Sequence, residues 1–147
     1  MISTRGRYAL RVMIDIANHS TGNYVPMKEV ALRQNISLKY IEQIAPVLTK
    51  AGFIEGVHGK GGGYRLARKP ADYTVGEILR VTEKDLAPVA CLECGGAGCD
   101  MAKRCPTLPM WKEYYAITQD FFDGKTLADL IRAQAEKQID NLFQNRS

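Results

Sequence analysis

The chain has 147 residues, of which 46% are hydrophobic and 24% are charged. These proportions predict one globular domain, or a small domain with an added helical arm, and they argue against a multidomain enzyme or a disordered chain. No apolar run approaches the roughly 20 residues that a membrane helix needs, and residues 1–5 lack the apolar core of a secretory signal. We therefore expect a cytoplasmic protein.

Positive charge is concentrated in the first half of the chain. Residues 1–70 hold 11 Lys and Arg side chains against 4 Asp and Glu, while residues 71–147 hold 9 against 12. The first half therefore has a net charge of +7 and the second of −3, which together give the +4 of the whole chain. This asymmetry favours a first half that binds nucleic acid, joined to a more acidic second half with another role. An uneven surface without such a partner is the alternative.

Three helices are predicted in the first fifty residues. Ser3 can cap a first helix of about sixteen residues, and Pro26 suits the first turn of a short second helix. Ser37 can cap a third helix, which Pro46 should bend and Gly52 should end. Helical spacing predicts that the following apolar side chains face the core: Ala9, Met13, Ile16, Ala17, Val30, Ala31, Leu38, Ile41, Ala45 and Leu48.

A β-hairpin is predicted after the third helix. Residues 53–57 and 64–67 have the apolar and β-branched content of two strands, and the glycine-rich residues 58–63 lie between them. Two short helices, the second with an exposed basic face, followed by a glycine-tipped hairpin, is the order of a winged helix-turn-helix. The predicted fold class is therefore mainly α with a small β-hairpin.

The second half is predicted to be helical on either side of a cysteine-containing loop. A capping box opens a helix over residues 74–82, a long helix covers 108–123, and a last helix starts at Thr126 and frays after about Ala135. Large side chains cover more than one face of the long helix, namely Trp111, Tyr114, Tyr115, Ile117, Phe121 and Phe122. We expect one face to pack against the same helix of a second subunit, the alternative being a wholly internal helix.

The outward face of the third helix carries side chains suited to DNA. A recognition helix needs donors that reach base edges and phosphates, and Ser37, Lys39, Tyr40 and Gln43 supply them. Glu42 could discriminate between sequences by accepting from a cytosine amino group, or it could form a local ion pair. An ordinary solvated helix face is the alternative.

The glycine-rich sequence GKGGGY at residues 59–64 resembles a phosphate-binding loop only superficially. A P-loop needs two glycines flanking four residues and then Lys-Ser/Thr at the start of a helix, whereas a strand follows here. A wing tip fits better, because the backbone at Gly59 could approach DNA closely while His58, Lys60 and Arg65 supply charge for the minor groove or its phosphates. A plain hairpin without a partner is the alternative.

All four cysteines, Cys91, Cys94, Cys99 and Cys105, fall within fifteen residues in the pattern C-x2-C-x4-C-x5-C. In a chain without a secretory signal, such a group favours metal binding or redox work over structural disulfides. Zinc and an iron-sulfur cluster both take thiolate ligands. Zinc is the weaker interpretation, because its structural sites usually use two Cys-x2-Cys pairs and this chain has one. Glycines at 95, 96 and 98 remove bulk and offer N–H groups to sulfur.

Three segments together resemble the Rrf2 family of bacterial regulators, and within it the iron-sulfur cluster regulators. The segments are STRGRYA at residues 3–9, SLKYIEQ at residues 37–43 and GKGGGY at residues 59–64. The resemblance implies a homodimer with paired winged helices, a crossed long dimerisation helix and a [2Fe-2S] cluster in the loop before that helix.

The resemblance also assigns the cysteines, with one departure. Cys99 and Cys105 fall on the second and third cysteines of the family's cluster motif, and either Cys91 or Cys94 would be the first. Where those regulators have a histidine three residues after the last cysteine, this chain has Leu108. The surplus cysteine would then be the fourth ligand, and all-cysteine ligation should bind more tightly and lower the reduction potential relative to a site with a nitrogen ligand.

The expected organisation is a winged helix over residues 1–82, a cluster-binding loop over 83–106, and dimerisation and C-terminal helices over 107–147. The expected function is to bind a two-fold DNA operator, with cluster occupancy or oxidation state changing the spacing of the two recognition helices. The rivals are a regulator that uses zinc, free thiols or a protein partner, and a small redox enzyme with a Cys91/Cys94 pair. The redox enzyme lacks the strand-then-helix context that a thioredoxin-like pair needs.

Overall fold

The computed structural model describes residues 2–95 and 99–146. Its helices and strands run in the order α1 (Thr4–His19), α2 (Met27–Gln34), α3 (Leu38–Lys50), β1 (Ile54–Val57), β2 (Gly63–Leu66), α4 (Val75–Thr82), α5 (Leu108–Asp123) and α6 (Leu127–Gln144). Short 3-10 turns cover Pro70–Asp72 and Ala90–Gly95. This arrangement confirms the predicted fold class of a mainly helical chain with one small hairpin.

Side-chain caps define the starts of the first and third helices, as predicted. The Ser3 hydroxyl accepts a hydrogen bond from the N–H of Gly6, and the Ser37 hydroxyl accepts one from the N–H of Tyr40. Each cap satisfies an N–H that has no partner inside its helix. Pro26 is the N-cap of α2 and not a residue of its first turn, so that helix starts one residue later than predicted.

The hairpin is tied to the segment that precedes α2. β1 and β2 pair antiparallel with Gly56 opposite Tyr64, and Val25 exchanges two backbone hydrogen bonds with Tyr64 on the other edge of β2, at 2.7 and 2.8 Å. Gly63 makes this approach possible, because a Cβ atom there would lie 2.4 Å from the carbonyl oxygen of Val25. The wing is therefore fixed at its base to the helix-turn-helix.

The main core joins α1, α2, α3, the base of the hairpin and α4. Two predicted core positions were wrong, because Leu38 is 37% exposed and Ala17 is only half-buried, while Ile44, which was not predicted, is buried. Leu38 lies in the first turn of α3, at an open edge between α2 and the hairpin, whereas Ile44 lies in the middle of α3 and is fully enclosed by the main core. Buried members of this core are Ala9, Val12, Met13, Ile16, Val25, Val30, Ala31, Ile36, Ile41, Ile44, Ala45, Leu48, Phe53, Ile54, Tyr73, Ile78 and Leu127.

The start of α6 packs against the winged helix. The predicted capping boxes are present at Thr74 and at Thr126, and these two residues form an isolated antiparallel bridge. Leu127, in the first turn of α6, is fully buried in the main core. The fraying predicted after about Ala135 was wrong, because α6 continues to Gln144 although its second half is exposed. That half has the sequence EKQIDNLFQ over residues 136–144, in which Glu, Lys, Gln and Leu have high helix propensity and no Gly or Pro interrupts the helix. No described helix is long and apolar enough to cross a bilayer.

Candidate nucleic-acid interface and cysteine segment

The outward face of α3 is polar and accessible. Ser37, Lys39, Glu42 and Gln43 are exposed, as predicted for a recognition helix. Tyr40 differs, because its ring is half-buried and packs edge-on against Tyr8 of α1, with the ring centroids 5.5 Å apart. Tyr40 therefore links α3 to α1, and its predicted contact with DNA would have to use the accessible part of its side chain.

A surface groove of about 410 Å³ joins α3 to the wing. It brings Glu42 of the helix and His58 of the hairpin to one surface, as the winged-helix interpretation requires. It also includes Lys28, a basic residue of α2 that the sequence analysis missed; its exposed place on the first helix of a helix-turn-helix was the available signal. The lining residues are Pro26, Met27, Lys28, Leu38, Glu42, Ala45, Pro46, His58, Gly62 and Tyr64.

The tip of the wing is exposed and built on glycine. His58, Gly59 and Lys60 are accessible, and Gly59 has a φ of 94°, a conformation that side chains disfavour. Arg65 lies lower on the hairpin, where its Nε atom is 3.1 Å from Glu55 Oε2 and its guanidinium stacks over Tyr24. A contact between Arg65 and a phosphate would therefore compete with an existing ion pair.

A buried carboxylate positions α2, and the sequence analysis missed it. Asp15 lies on the core side of α1 and is 2% exposed. Its oxygens accept hydrogen bonds from Arg33 Nη2 at 2.7 Å and from Gln34 Nε2 at 2.8 Å, both at the end of α2. The hydrogen bond to Asp15 raises the pKa of the Arg33 guanidinium. An acidic residue between Val12 and Ile16 on an apolar helix face was the signal for this pair.

The cysteine segment is the part of the chain between α4 and α5, of which the structure describes residues 83–95 and 99–106. It has a small apolar cluster of its own. Ala87, Leu92 and Leu108 are buried in it, and Trp111 and Tyr115 of α5 pack against it. The half-buried Cys91 and Cys105 contact the same cluster, whereas Cys99 is exposed. Leu108, at the position where the resemblance expects a histidine, is therefore a packing residue. The side chain of Cys94, and the whole of Gly96 and Gly98, lie outside the described residues.

The donor type fits a thiolate-ligated metal group, but the described side chains do not converge on one point. Cys91, Cys99 and Cys105 are free thiols. Within residues 2–95 and 99–146, no three Cys, His, Asp or Glu side chains are close enough together to hold one metal ion. Soft thiolates are the ligands that iron-sulfur clusters and zinc take in proteins. The chemistry of the donor set therefore suits either group.

Cys105 is placed where its thiolate is favoured. Its sulfur is 3.4 Å from the Thr107 hydroxyl, at the start of α5. Hydrogen bonds from that hydroxyl, and then from the backbone N–H groups of Thr107 and Leu108, lower the pKa of the Cys105 thiol. The thiolate is the form of cysteine that binds metals and reacts with oxidants.

α5 leaves one apolar face exposed. Met110, Tyr114, Ile117 and Phe121 recur at the spacing of one helix face, and each is more than half exposed. The alternative of a wholly internal helix is therefore wrong for the single chain. The opposite side of α5 is joined to the winged helix by Arg80 and Asp123, whose two pairs of N and O atoms are each 2.8 Å apart.

Two carboxylates connect the start of the cysteine segment to its neighbours. Glu83, at the end of α4, accepts hydrogen bonds from the N–H of Ser3 at 2.9 Å and from its hydroxyl at 2.6 Å. Asp85 accepts one from the Tyr115 hydroxyl of α5 at 3.2 Å. The segment is therefore linked to the first turn of α1 and to α5.

Comparison with known sequences identifies related regulators. The model of the Rrf2 family, described as iron-dependent transcriptional regulators, matches residues 2–133. The HTH-type transcriptional regulator IscR of Aliivibrio salmonicida is 35% identical over 138 residues, which is 94% of this chain and 81% of that protein. IscR of Vibrio cholerae is 36% identical over 131 residues, covering 88% of this chain and 74% of the relative.

Solved structures of related regulators also resemble this chain. IscR of T. potens has a TM-score of 0.75 and 36% sequence identity, and the match covers 94% of this chain and 90% of that one. CymR, titled the global cysteine regulator of B. subtilis, has a TM-score of 0.74 and 34% identity over 90% of this chain and 97% of that one. These relatives are named as regulators and not as enzymes, which argues against the Cys91/Cys94 redox-enzyme alternative.

Proposed function

The chain belongs to the Rrf2 family of transcription regulators, and from that premise we propose that it binds a two-fold DNA operator as a homodimer and senses an iron-sulfur cluster held by its cysteines. The groove shared by α3 and the wing carries the DNA-binding part of this proposal. It places Glu42 and His58, from two separate elements, along one accessible surface beside Lys28. Helix and wing together are the elements that a winged helix-turn-helix presents to DNA.

The roles of the individual side chains follow from their positions. Lys39 and Gln43 project from the exposed face of α3 and would reach base edges or phosphates in the major groove. Ser37 already accepts from the N–H of Tyr40, but its hydroxyl proton is still available to a phosphate oxygen. His58 and Lys60 at the exposed wing tip would contact the adjacent minor groove or its backbone.

The exposed face of α5 supports the homodimer. Four large apolar side chains on one helix face form a continuous stripe, and a second copy of the same helix would bury it. A two-fold axis through this contact places two identical α3 helices on one side of the dimer. Matched half-sites about one helical turn of DNA apart follow from that symmetry.

The cofactor in this proposal is a [2Fe-2S] cluster, with zinc as the alternative. Cys99 and Cys105, together with Cys91 and Cys94, would supply four thiolates, since Leu108 offers no ligand. A bound cluster would supply a one-electron redox centre that also joins the ends of the cysteine segment. The chain's part is to present Cys91 and Cys105 on the apolar cluster against α5, where a change in the segment reaches the helix that sets the dimer geometry.

Hydrogen bonds of the segment support a coupling between the cysteines and DNA binding. Glu83 holds the first turn of α1 through Ser3, and Asp85 holds α5 through Tyr115. A rearrangement between residues 83 and 106 would therefore act on the winged helix and on the dimerisation helix at once. A ligand that changes how the winged helix is oriented relative to the dimerisation helix would change the spacing of the two recognition helices, and with it the affinity for DNA.

Anaerobic purification tests the cofactor directly. We expect brown protein with visible absorption and with iron and acid-labile sulfide in equal amounts. Cys99→Ser should lose the colour, and Thr21→Ala, an exposed substitution in the loop between α1 and α2, should keep it. Colourless protein that contains stoichiometric zinc would replace the cluster with the zinc alternative.

Operator binding tests the sensing. Cluster-loaded and cluster-free protein should differ in operator affinity, or in preference between two operators, when titrated at the same salt concentration. Equal affinity and equal preference for both forms would remove cluster sensing and leave DNA binding intact.

Regulation without a cluster is the second candidate, and the similarity to CymR favours it. The structure of CymR, described as the global cysteine regulator of B. subtilis, matches this chain about as well as the structure of T. potens IscR does. In this version the free thiols, or a protein partner, would carry the signal. Metal-free protein that responds to an added thiol oxidant or partner in the operator titration would support this candidate.

A further inference from the structure

Leu38 is an exposed apolar residue at the edge of the apolar stripe of α3, next to the polar face of that helix. It is the first residue of the helix, directly after the capping Ser37, and it is 37% exposed. Residues one to three turns further along the same helix, Ile41, Ala45 and Leu48, are almost completely buried. Leu38 is therefore the member of the apolar stripe that continues out of the core onto the proposed DNA-binding surface.

The surroundings of Leu38 are those of a contact point for DNA. It borders the groove that α3 shares with the wing, where Glu42 and His58 lie, and it also borders a second groove of about 420 Å³ between α2 and α3. Lys28 borders both grooves as well. An apolar side chain thus lies beside Lys28, whose positive charge attracts the phosphate backbone of DNA to this surface.

The chemistry of the major groove offers one apolar partner. First-turn residues of a recognition helix are those that contact base edges. The edges of the bases present hydrogen-bonding groups, and thymine alone adds a 5-methyl group. Leu38 cannot use a donor or an acceptor, so a methyl group is the feature of a base edge that it can recognise.

We propose that Leu38 is a specificity-determining residue that reads a thymine in each operator half-site through contact with its 5-methyl group. The proposal rests on the DNA-binding function proposed above. Glu42 lies one helical turn further along α3 and borders the same groove, so the two side chains address neighbouring base pairs. Leu38 supplies sequence preference by apolar contact and Glu42 supplies it by accepting a hydrogen bond.

The test uses DNA from which single methyl groups have been removed. Full-length protein first selects its operator from random double-stranded DNA. Each thymine of the selected operator is then replaced by deoxyuridine, which lacks only the 5-methyl group, and affinity is measured by fluorescence anisotropy at fixed salt. We expect one thymine in each half-site whose replacement weakens binding by about fourfold, the effect of leaving about one methyl group uncovered.

Variants at position 38 assign that effect. Leu38→Ala and Leu38→Gln should bind the thymine and deoxyuridine operators with nearly equal affinity. Gln fills a similar volume to Leu and favours helix, so it covers the case in which the Ala variant is poorly folded. Leu142→Ala is the matched control, because Leu142 is 65% exposed on α6, lines neither groove and should keep the fourfold difference.

Two results overturn the proposal and are distinguishable from each other. Sequence-selective binding with the same thymine-to-deoxyuridine ratio in wild type, Leu38→Gln and Leu142→Ala removes the role of Leu38 and leaves the DNA-binding function in place. A wild-type chain that selects no sequence removes the DNA-binding function and the role of Leu38 together.

Discussion

The winged helix and the cysteine segment are stabilised to very different extents. Side chains from α1, α2, α3, the hairpin and α4 share one core, whereas the segment between α4 and α5 buries Ala87, Leu92 and Leu108 in a separate small cluster. Apolar burial is the main favourable contribution to folding. The winged helix therefore has a large apolar core of its own, whereas the described part of the cysteine segment has only a small cluster to stabilise it.

Polar contacts differ between the two regions in the same way. In the winged helix, Asp15 is buried and receives charged and neutral donors from the end of α2. Around the cysteine segment, Glu83 and Asp85 make hydrogen bonds at partly exposed positions. Partly exposed polar contacts are weaker than buried ones and are exchanged more easily. The polar contacts of the winged helix should therefore resist rearrangement more strongly than those around the cysteine segment.

The largest expected effect contrasts the two apolar clusters. Ile44→Ala should lower the free energy of unfolding by about 3 to 4 kcal/mol, because it leaves a cavity in the main core. Leu92→Ala in the small cluster should cost about 2 kcal/mol, the lower end of the range for such a change, because few neighbours lose contacts. Chemical denaturation followed by circular dichroism measures both values. Equal losses would contradict the proposed difference between the regions.

The buried carboxylate gives the next largest effect. Asp15→Asn should destabilise the protein by about 2 to 3 kcal/mol, because the charged acceptor of Arg33 is lost in a site with little water. Glu29→Gln is the matched control, since Glu29 pairs with the same Arg33 at 3.4 Å but is exposed, and it should cost less than about 0.5 kcal/mol. A loss for Glu29→Gln as large as for Asp15→Asn would show that burial is not the deciding factor.

Removal of the metal should raise amide hydrogen exchange far more in the cysteine segment than in the core of the winged helix. In protein purified with its cofactor, chelation should speed amide hydrogen exchange in residues 83–106 by about tenfold, which corresponds to about 1.4 kcal/mol of local opening. Amides of α3 should change by less than about twofold, because the main core does not include the thiols. Mass spectrometry of peptides measures both. An equal rise in α3 would mean that the winged helix depends on the cofactor for its fold.

The smallest expected effect concerns the ion pair between α4 and α5. The hydrogen bond from Arg80 lowers the pKa of Asp123, so the pair stabilises the protein above the unfolded-state pKa of about 3.9 and loses this effect as the pH falls through the lower folded value. Asp123→Asn should cost at most about 1 kcal/mol near pH 7, since both side chains are partly exposed.

Acid titration checks the origin of that effect. The difference between wild type and Asp123→Asn should shrink as the pH falls below about 4. Asp120→Asn, an exposed change one turn earlier on α5, should leave the unfolding free energy nearly unchanged at every pH. A constant penalty for Asp123→Asn across the titration would assign it to packing and not to charge.

Sequence reasoning succeeded where a feature depends on neighbours along the chain. The caps at Ser3 and Ser37, the capping box at Thr74 and the span of α5 were predicted because the groups that satisfy a helix end lie within four residues of it. The hairpin followed from two apolar runs around glycine. The polar face of α3 also followed from helical spacing, and with it most of the proposed DNA-binding residues.

Contacts between distant parts of the chain had to come from the structure. Leu38 and Ile44 lie on opposite edges of the apolar stripe that Ile41, Ala45 and Leu48 form on α3. The helical pattern treats the two edges alike, and only the packing of other elements decides that Ile44 is buried and Leu38 is exposed. The pairing of Asp15 with Arg33 and the groove shared by Lys28, Glu42 and His58 are likewise products of that packing. Local hydrogen bonding is determined by a few adjacent residues, so the sequence alone specified the elements. Burial at the edge of an apolar stripe is determined by whatever folds over it, so only the tertiary structure decided between Leu38 and Ile44 and brought distant polar side chains together.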